Sequence, residues 1–279
     1  MVGRLLMLAA VCLLGGLLSA SLVRFSPGYG VDERELDPRL SQASVEAIRN
    51  SHRLNSGLLS YYGHYLSGAV HGDLGSSLWL QRPISALLKE RFPVTAKSVL
   101  IGVSLAWFVA LTLSLAGVFL RGFYFDISTT LISGVFIALP AAVVAIFSVY
   151  LRAPVSVAIA VVTFPKLFRY LRNLLNHAYA QPYIMAARAR GISRAKILFR
   201  HILPLASPTL FALMGVSLAV AFGAAIPIEA LCDSPGVGQL AWQAALNRDL
   251  PLIMNLTLLV TLITVAANMF ANAAHERAM

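Results

Sequence analysis

The chain has 279 residues, of which 58% are hydrophobic and only 12% are charged, and its mean hydropathy is +0.75. Soluble globular proteins carry roughly 25% charged residues, so this composition excludes an ordinary water-soluble enzyme. The high hydrophobicity also excludes a disordered chain. Two cysteines, Cys12 and Cys232, lie far apart in sequence, which argues against a disulfide scaffold or a thiolate metal cage. We therefore predict an all-α integral membrane protein.

Six apolar segments predict six transmembrane helices, because about 20 mostly apolar residues cross the hydrocarbon core as a helix. The fourth segment is the weakest, since its apolar part ends near Phe164 and Lys166 follows. The first segment has an alternative interpretation as a cleaved signal peptide, but its apolar stretch is longer than a usual signal core. The predicted spans are Leu5–Val23, Ser98–Leu120, Ile127–Leu151, Ala153–Leu175, Leu205–Leu231 and Leu252–Ala274.

The basic residues predict the orientation in the membrane. The stretch from Lys166 to His201 carries eight Lys and Arg residues and no Asp or Glu, whereas the connections 151–154 and 232–250 hold one Arg each. Cytoplasmic loops are enriched in Lys and Arg, so this basic loop is predicted to be cytoplasmic, and six spans then place both termini inside. The net charge of +10 is thus mainly a topology signal. A nucleic-acid surface would need regularly spaced stacking aromatics, which the loop lacks.

The segment 24–97 predicts a small helical cap outside the membrane. Ser44 is placed to cap a helix over 45–49. A second helix is predicted over Gly57–Val70, and a turn over Asp73–Ser77. Two interpretations stay open, a lid over helix ends and a docking surface for an external partner.

The basic loop has a helix–glycine–helix pattern. Gln181-Pro182 places proline in the first turn of a short helix, where its missing N–H costs nothing. Gly191 ends that helix as a left-handed cap would. Ser193 then predicts the start of a second, basic and amphipathic helix over Arg194–Leu203. This pattern fits either a groove in a partner protein or the surface of an anionic bilayer.

The same loop resembles the signature of binding-protein-dependent ABC importer permeases, Glu-Ala-Ala, three residues, Gly, nine residues, Ile, any residue, Leu-Pro. Met185 stands where Glu is usual and His201 where Ile is usual. Both departures resemble the dipeptide/oligopeptide branch of that family. The loop residues that carry the resemblance are Tyr183, Ala186, Ala187, Arg188, Arg190, Gly191, His201, Leu203 and Pro204.

Further landmarks of that branch recur in order along nearly the whole chain. The outer connection Leu151–Pro154 is shorter than usual, and Lys166 replaces an apolar residue. His275-Glu276-Arg277 stands where many members have Asp-Pro-Arg. The matching segments are Tyr61–Leu66, Gly72–Ser77, Glu90–Thr95, Ile228–Leu231, Pro235–Gly238 and Asn247–Pro251.

The resemblance implies a type I ABC importer permease with three parts: a first transmembrane helix (1–23), an extracytoplasmic helical segment (24–97) and a core of five transmembrane helices (98–279) that contains a cytoplasmic coupling loop (181–204). It implies a subunit of an importer for dipeptides or oligopeptides, with a metal chelate such as nickel or a sugar-like solute as the alternative.

The implied partners are a second homologous permease, two cytoplasmic ABC ATPase subunits and an extracytoplasmic solute-binding protein, all at a bacterial inner membrane. The chain has no Gly-x4-Gly-Lys-Ser/Thr phosphate loop, so ATP hydrolysis is assigned to another chain. We accordingly expect no enzymatic activity, no metal site and no cofactor in this subunit.

Four charged residues are candidates for the pathway or its outer gate: Lys166, Glu229, Arg248 and Asp249. Lys166 fits either a residue that faces the pathway and attracts an anionic solute or one whose amine reaches the inner headgroups. The other three fit gate contacts or paired structural charges. A self-contained secondary transporter would favour inverted repeats, which the chain lacks. A membrane enzyme would need an intramembrane catalytic pair, and we find none in the sequence.

Overall fold

A computed structural model describes residues 10–11, 13–18, 20–22, 25, 58–120 and 123–277. Much of the predicted first span Leu5–Val23, and the predicted helix over 45–49 with Ser44, lie outside the described residues. The described part is helical and contains no β-strand; Ser76 and Pro83 form one isolated bridge. These findings confirm the all-α prediction.

The described helices contain most of the predicted apolar runs, and some of them begin well before those runs. A short apolar helix covers Leu13–Leu22. From residue 58 onward the elements are α1 (Leu58–Val70), α2 (Ile84–Leu120), α3 (Phe123–Ala138), α4 (Ala141–Tyr150), α5 (Val155–Tyr179), α6 (Pro182–Ala189), α7 (Arg194–Ile197), a π-helical turn (Leu198–Ile202), α8 (Leu203–Leu231), α9 (Val237–Leu246) and α10 (Leu250–Arg277).

Three described helices are long and apolar enough to cross a membrane: Ile84–Val118, Arg194–Leu231 and Leu250–Met269. They contain the predicted second, fifth and sixth apolar segments almost entirely. Because the hydrocarbon core requires this length of continuous apolar helix, the chain is a multi-pass membrane protein. The full count of six spans stays a prediction.

The predicted third span, Ile127–Leu151, is two helices rather than one. Residues Ile127–Ala138 and Ala141–Tyr150 form a pair that is bent by 96°. Pro140 occupies the N-cap of α4 with extended backbone (φ −62°, ψ 145°). Proline has no N–H to continue the hydrogen-bond ladder and disfavours helical backbone at the residue before it, which accounts for the break.

The predicted fourth span is one continuous helix, α5, of 25 residues. At 1.5 Å per residue, it is about 37 Å long and has the length of a span. It is not among the apolar candidate spans, because Lys166, Arg169 and Arg172 lie in its middle.

The described chain divides into two compact units, and the first comprises 1–93 with 240–262. Its small core joins α1 to the start of α10: Tyr62 packs with Leu250, Met254 and Ala20. The Tyr62 hydroxyl donates a hydrogen bond of 2.8 Å to the carbonyl of Leu13. The predicted helix over Gly57–Val70 is confirmed as α1.

The second unit comprises 94–239 with 263–279 and contains α3 to α8. α5 and α8 pack side by side, and small residues bring other helices close to them. A Cβ at Gly102 of α2 would lie 2.8 Å from the carbonyl oxygen of Ser156 and 2.9 Å from the Ile159 side chain. Trp107 donates a 3.0 Å hydrogen bond to the Ser217 hydroxyl, so α2 is fixed to α8 as well.

Candidate functional site

The predicted coupling loop adopts the helix–glycine–helix structure that its sequence indicates. α6 begins with Pro182 at its first position after the Gln181 N-cap. Gly191 has φ +77°, in the left-handed region that favours glycine. Ser193 caps α7, where its side chain accepts a hydrogen bond from the backbone N–H of Lys196.

The sequence pattern predicts that the second loop helix ends before Pro204, but in the structure it does not end there. It passes through the π-helical turn Leu198–Ile202 and continues directly into α8, whose first turn contains Pro204. Proline is tolerated in a first helical turn, and a π-turn absorbs one extra residue in a helix. The loop is therefore joined without a break to a transmembrane helix.

The inward side of the loop is anchored to helices of the second unit. Its buried residues are Ile184, Ala187, Ile197, Leu198 and Ile202, and they pack against Leu175 and Tyr179 of α5 and Val118 of α2. The Arg188 guanidinium lies over the Tyr179 ring, 5.4 Å from its centroid, a cation–π distance. The loop is thus in direct side-chain contact with α5.

The outward side of the loop is both apolar and basic. Tyr183, Met185 and Phe199 are 44%, 58% and 69% exposed, and Arg190 and Arg200 are exposed beside them. Several large exposed hydrophobic side chains within one short loop favour an interaction site. We name these five residues the loop surface.

Glu229 is fully buried near the end of α8, inside the second unit. Its Oε2 accepts hydrogen bonds from the Thr95 hydroxyl at 2.9 Å and the Gly238 N–H at 2.8 Å. Thr95 also accepts a 2.8 Å hydrogen bond from the Val237 N–H. A Cβ at Gly236 would lie 2.2 Å from Oε2, so glycine is needed for the loop to pass the carboxyl group.

Asp249 is buried in the first unit, where it organises the turn before α2. Its Oδ2 accepts hydrogen bonds from the Ser77 hydroxyl at 2.5 Å and the Trp79 N–H at 3.1 Å, and its Oδ1 accepts one from the Leu252 N–H at 3.2 Å. The last contact is an N-cap for α10.

Residues 73–77, predicted as a turn, instead form an irregular connection between turns at 71–72 and 78–80. Within this connection the Gly75 N–H donates a 2.9 Å hydrogen bond to Asp73.

A neighbouring polar group in the first unit centres on Asn255 of α10. It accepts a 2.9 Å hydrogen bond from the Tyr65 hydroxyl and donates one of 3.0 Å to the carbonyl of Leu74. Burial, together with the nearby Tyr62, raises the pKa of Tyr65 to about 12. The turn 72–80 is thus attached to α1 and α10.

The remaining predicted pathway residues are exposed. Lys166 lies on the exposed side of α5. Arg248 lies in the turn between α9 and α10, with φ +52°. A gate or pathway role for these two residues, and for the buried Glu229 and Asp249, stays a prediction. Among the described residues, no group of three or more His, Cys, Asp or Glu side chains is arranged to hold a metal ion.

The family model for the "Binding-protein-dependent transport system inner membrane component" matches residues 89–277, from within α2 to the end of α10. The chain belongs to this family. The match includes the coupling loop and the surroundings of Glu229, so the resemblance drawn from the loop signature is confirmed.

Individual members of this permease family match over most of their length. The chain is 27% identical over 266 residues to the oligopeptide transport system permease protein OppB of Salmonella typhimurium, with 87% of this chain and 85% of that protein covered. It is 25% identical over 286 residues to the oligopeptide transport system permease protein AppB of Bacillus subtilis, with coverages of 92% and 90%. The fold resembles a chain of the inward-facing MetNI methionine ABC transporter, with TM-score 0.57, 19% identity and coverages of 68% and 97%.

Local sequence patterns did not predict the polar partners of Glu229, Asp249 and Tyr65 in this permease. Thr95, Ser77 and Asn255 are polar residues in largely apolar surroundings, and each lies more than 130 positions from a residue to which it is hydrogen-bonded. Their burial next to apolar runs is the only signal that the sequence offered. The glycine-rich segment 235–238 was recognised from the sequence as a family motif. Its contact with Glu229, in which Gly236 leaves room for the carboxyl group and the Gly238 N–H donates to it, was not predicted.

Proposed function

We propose that the chain is the transmembrane permease subunit of an ATP-driven importer for dipeptides or oligopeptides. Its family membership and the oligopeptide permeases among its relatives support this function. The proposal includes six spans, both termini in the cytoplasm, and a second permease that completes the pathway. A solute-binding protein delivers the solute from outside, and two ATPase subunits act from inside.

The observation that carries the proposal is the construction of the coupling loop. The loop surface presents Tyr183, Met185 and Phe199 outward, while the opposite side is packed on α5 and α2. An apolar and basic surface of this kind fits a groove on a partner protein. We propose that α6 occupies a groove of the ATPase and that closure of the ATPase pair on ATP displaces α5 and α8.

The mechanism requires two states of the membrane helices that nucleotide favours differently. The continuous joint from α7 through the π-turn into α8 connects the loop to a span without a flexible linker. The Arg188–Tyr179 contact connects it to α5. A displacement of the loop therefore moves two helices of the second unit together.

The test is affinity purification of the tagged chain from its native host in mild detergent, with the partners identified by mass. We expect an ATPase with a Gly-x4-Gly-Lys-Ser/Thr phosphate loop and a second permease. The variant M185S/F199S should lose the ATPase, because both side chains are exposed and their removal leaves the internal packing intact. The matched control is Tyr150→Ser, which changes an 83% exposed aromatic residue outside the loop.

Two results would contradict the proposal. The first is a wild-type chain that purifies without any ATPase. The second is equal recovery of the ATPase with M185S/F199S and with the control, which would place the contact elsewhere on the chain.

A further inference from the structure

One face of α5 is polar and exposed, whereas the opposite side is packed. Lys166, Arg169, Tyr170, Asn173 and His177 lie at positions i, i+3, i+4, i+7 and i+11, and all five are exposed. That spacing places them on a single side of a helix. We name these five residues the cationic face. The opposite side of the same segment, including Leu167, Phe168 and Leu171, is buried.

The cationic face begins inside the apolar spans, level with the middle of one run and with the first third of another. Leu167, Phe168 and Leu171 pack in one cluster with Ala106 and Ala110 of α2, and with residues 210 and 213 of α8. Residues 106 and 110 lie in the middle of the apolar run 98–120, and residue 210 lies five positions into the run 205–231. Lys166 directly precedes Leu167, so it occupies the same depth.

No acid in this region of the sequence neutralises the two cations. The chain contains no Asp or Glu between residues 127 and 228. Among the described contacts, Lys166 and Arg169 make no ion pair. Contact with lipid tails is costly for a cation at this depth, and such residues generally line a water-filled cavity.

We infer that the cationic face lines a water-filled part of the translocation pathway and binds the carboxylate of the solute; this inference rests on the proposed importer function. Lys166 and Arg169 supply the positive charge, and an arginine can donate two parallel hydrogen bonds to a carboxylate. The Tyr170 hydroxyl and the Asn173 amide add neutral donors one helical turn away. Charge complementarity selects a solute anion, since the face carries basic and neutral polar groups only.

Arg172, the next cation along α5, is used differently. It donates a hydrogen bond to the Thr130 hydroxyl of α3, so its side chain is directed toward a neighbouring helix. The binding function is therefore assigned to Lys166 and Arg169.

The first test compares uptake of trialanine and of trialanine amide by the complete transporter in proteoliposomes with ATP and saturating binding protein. In K166Q/R169Q the ratio of the trialanine rate to the amide rate should fall about tenfold, equivalent to ~1.4 kcal/mol. The matched control is Arg152→Gln, which removes an exposed charge from the turn before α5. An unchanged ratio in K166Q/R169Q, with the wild-type transporter active, would overturn the inference.

The second test measures thiol reactivity and does not depend on transport. In a chain with Cys12 and Cys232 replaced by Ala, the reaction rates of K166C and R152C are measured with the anionic reagent 2-sulfonatoethyl methanethiosulfonate and with a cationic analogue. The ratio of the anionic to the cationic rate should be higher for K166C than for R152C. Adding R169Q should abolish that preference, and trialanine should slow the reaction. A thiol at position 166 that does not react would indicate burial against the second permease. A thiol that reacts but is not protected by trialanine would indicate a side chain among the lipid headgroups. Either result would refute the inference.

The two tests separate the inference from the function on which it rests. If the wild-type transporter takes up neither peptide with ATP, the proposed function fails. The labelling result then still decides whether the cationic face is an aqueous anion site. If the wild type transports trialanine but K166Q/R169Q keeps the wild-type ratio, the function stands and the inference fails.

Discussion

Gly236→Ala should be strongly destabilising in the wild-type background and nearly harmless after Glu229→Ala. A Cβ at position 236 would lie 2.2, 2.4 and 2.6 Å from Oε2, Cδ and Oε1 of Glu229, and these are its three nearest atoms. The backbone of Gly236 is not in the left-handed region, so the carboxyl group is the nearest obstacle to a methyl group there. It must displace Oε2 from the hydrogen bonds that Thr95 and Gly238 donate.

The size of the effect follows from these two donors. A buried donor that loses its acceptor costs ~1–3 kcal/mol, so the displacement should lower the free energy of unfolding by roughly 2–6 kcal/mol. Each kcal/mol moves the midpoint of thermal unfolding by roughly 2–4 °C in a domain of this size class. In the Glu229→Ala background the acceptor is already gone, and the added methyl group fills vacated space. We expect a coupling energy of about 2 kcal/mol or more between the two sites.

The assay is thermal unfolding of the purified protein in detergent, followed by the fluorescence of its three tryptophans. Gly238→Ala is the matched control, because a Cβ there would lie 2.6 Å from the Ile226 Cα and 2.8 Å from the Ala225 carbonyl oxygen. Glu229 Oε2 is only the third-nearest atom, at 3.0 Å. Because the two closer atoms belong to the backbone, Glu229→Ala should leave most of this clash in place. If Gly236→Ala has the same cost in both backgrounds, the carboxyl group is not what position 236 accommodates.

Three further predictions concern the loop and the first unit. Gly191→Val should reduce ATP-driven uptake, because a left-handed conformation costs a side-chain-bearing residue roughly 1–2 kcal/mol. Gly191→Asn should retain uptake, since asparagine tolerates that region. Equal uptake by the two variants would exclude backbone strain as the cause. Asp249→Ala should lower the unfolding midpoint more than Asp73→Ala, since Asp249 is buried with three donors and Asp73 is exposed; equal shifts would contradict this. Because the pKa of Tyr65 is raised to about 12, its stabilising contribution is complete below pH 10 and is lost as pH rises toward about 12. Tyr65→Phe should therefore weaken the pH dependence of the unfolding midpoint across this range. An unchanged pH dependence would contradict the assignment.

Local signals in the sequence predict the coupling loop well. Proline in the first turn, glycine at a left-handed position and a serine cap each act through the backbone of neighbouring residues. The structure therefore has α6, Gly191 and the Ser193 cap where the sequence predicts them. The π-turn was not predictable in this way, because it depends on how Leu198 and Ile202 pack against α5 and α2.

Long-range contacts explain what the sequence could not provide. Glu229 and Asp249 are charged residues next to an outer loop, and from sequence they fit gate contacts and structural pairs equally. Their partners Thr95 and Ser77 lie 134 and 172 positions away, beyond any local pattern. Lys166 shows the same limit, since only the packing of its neighbours Leu167 and Phe168 reveals its depth.

The most direct test of the central claim is uptake of trialanine by proteoliposomes that contain the chain with its copurified partners. The account predicts accumulation that requires ATP inside the cytoplasmic-facing compartment and the solute-binding protein outside. M185S/F199S should abolish that accumulation, and Tyr150→Ser should preserve it. Uptake by the purified chain alone, without ATP or an ATPase, would contradict the account and indicate a self-contained secondary transporter.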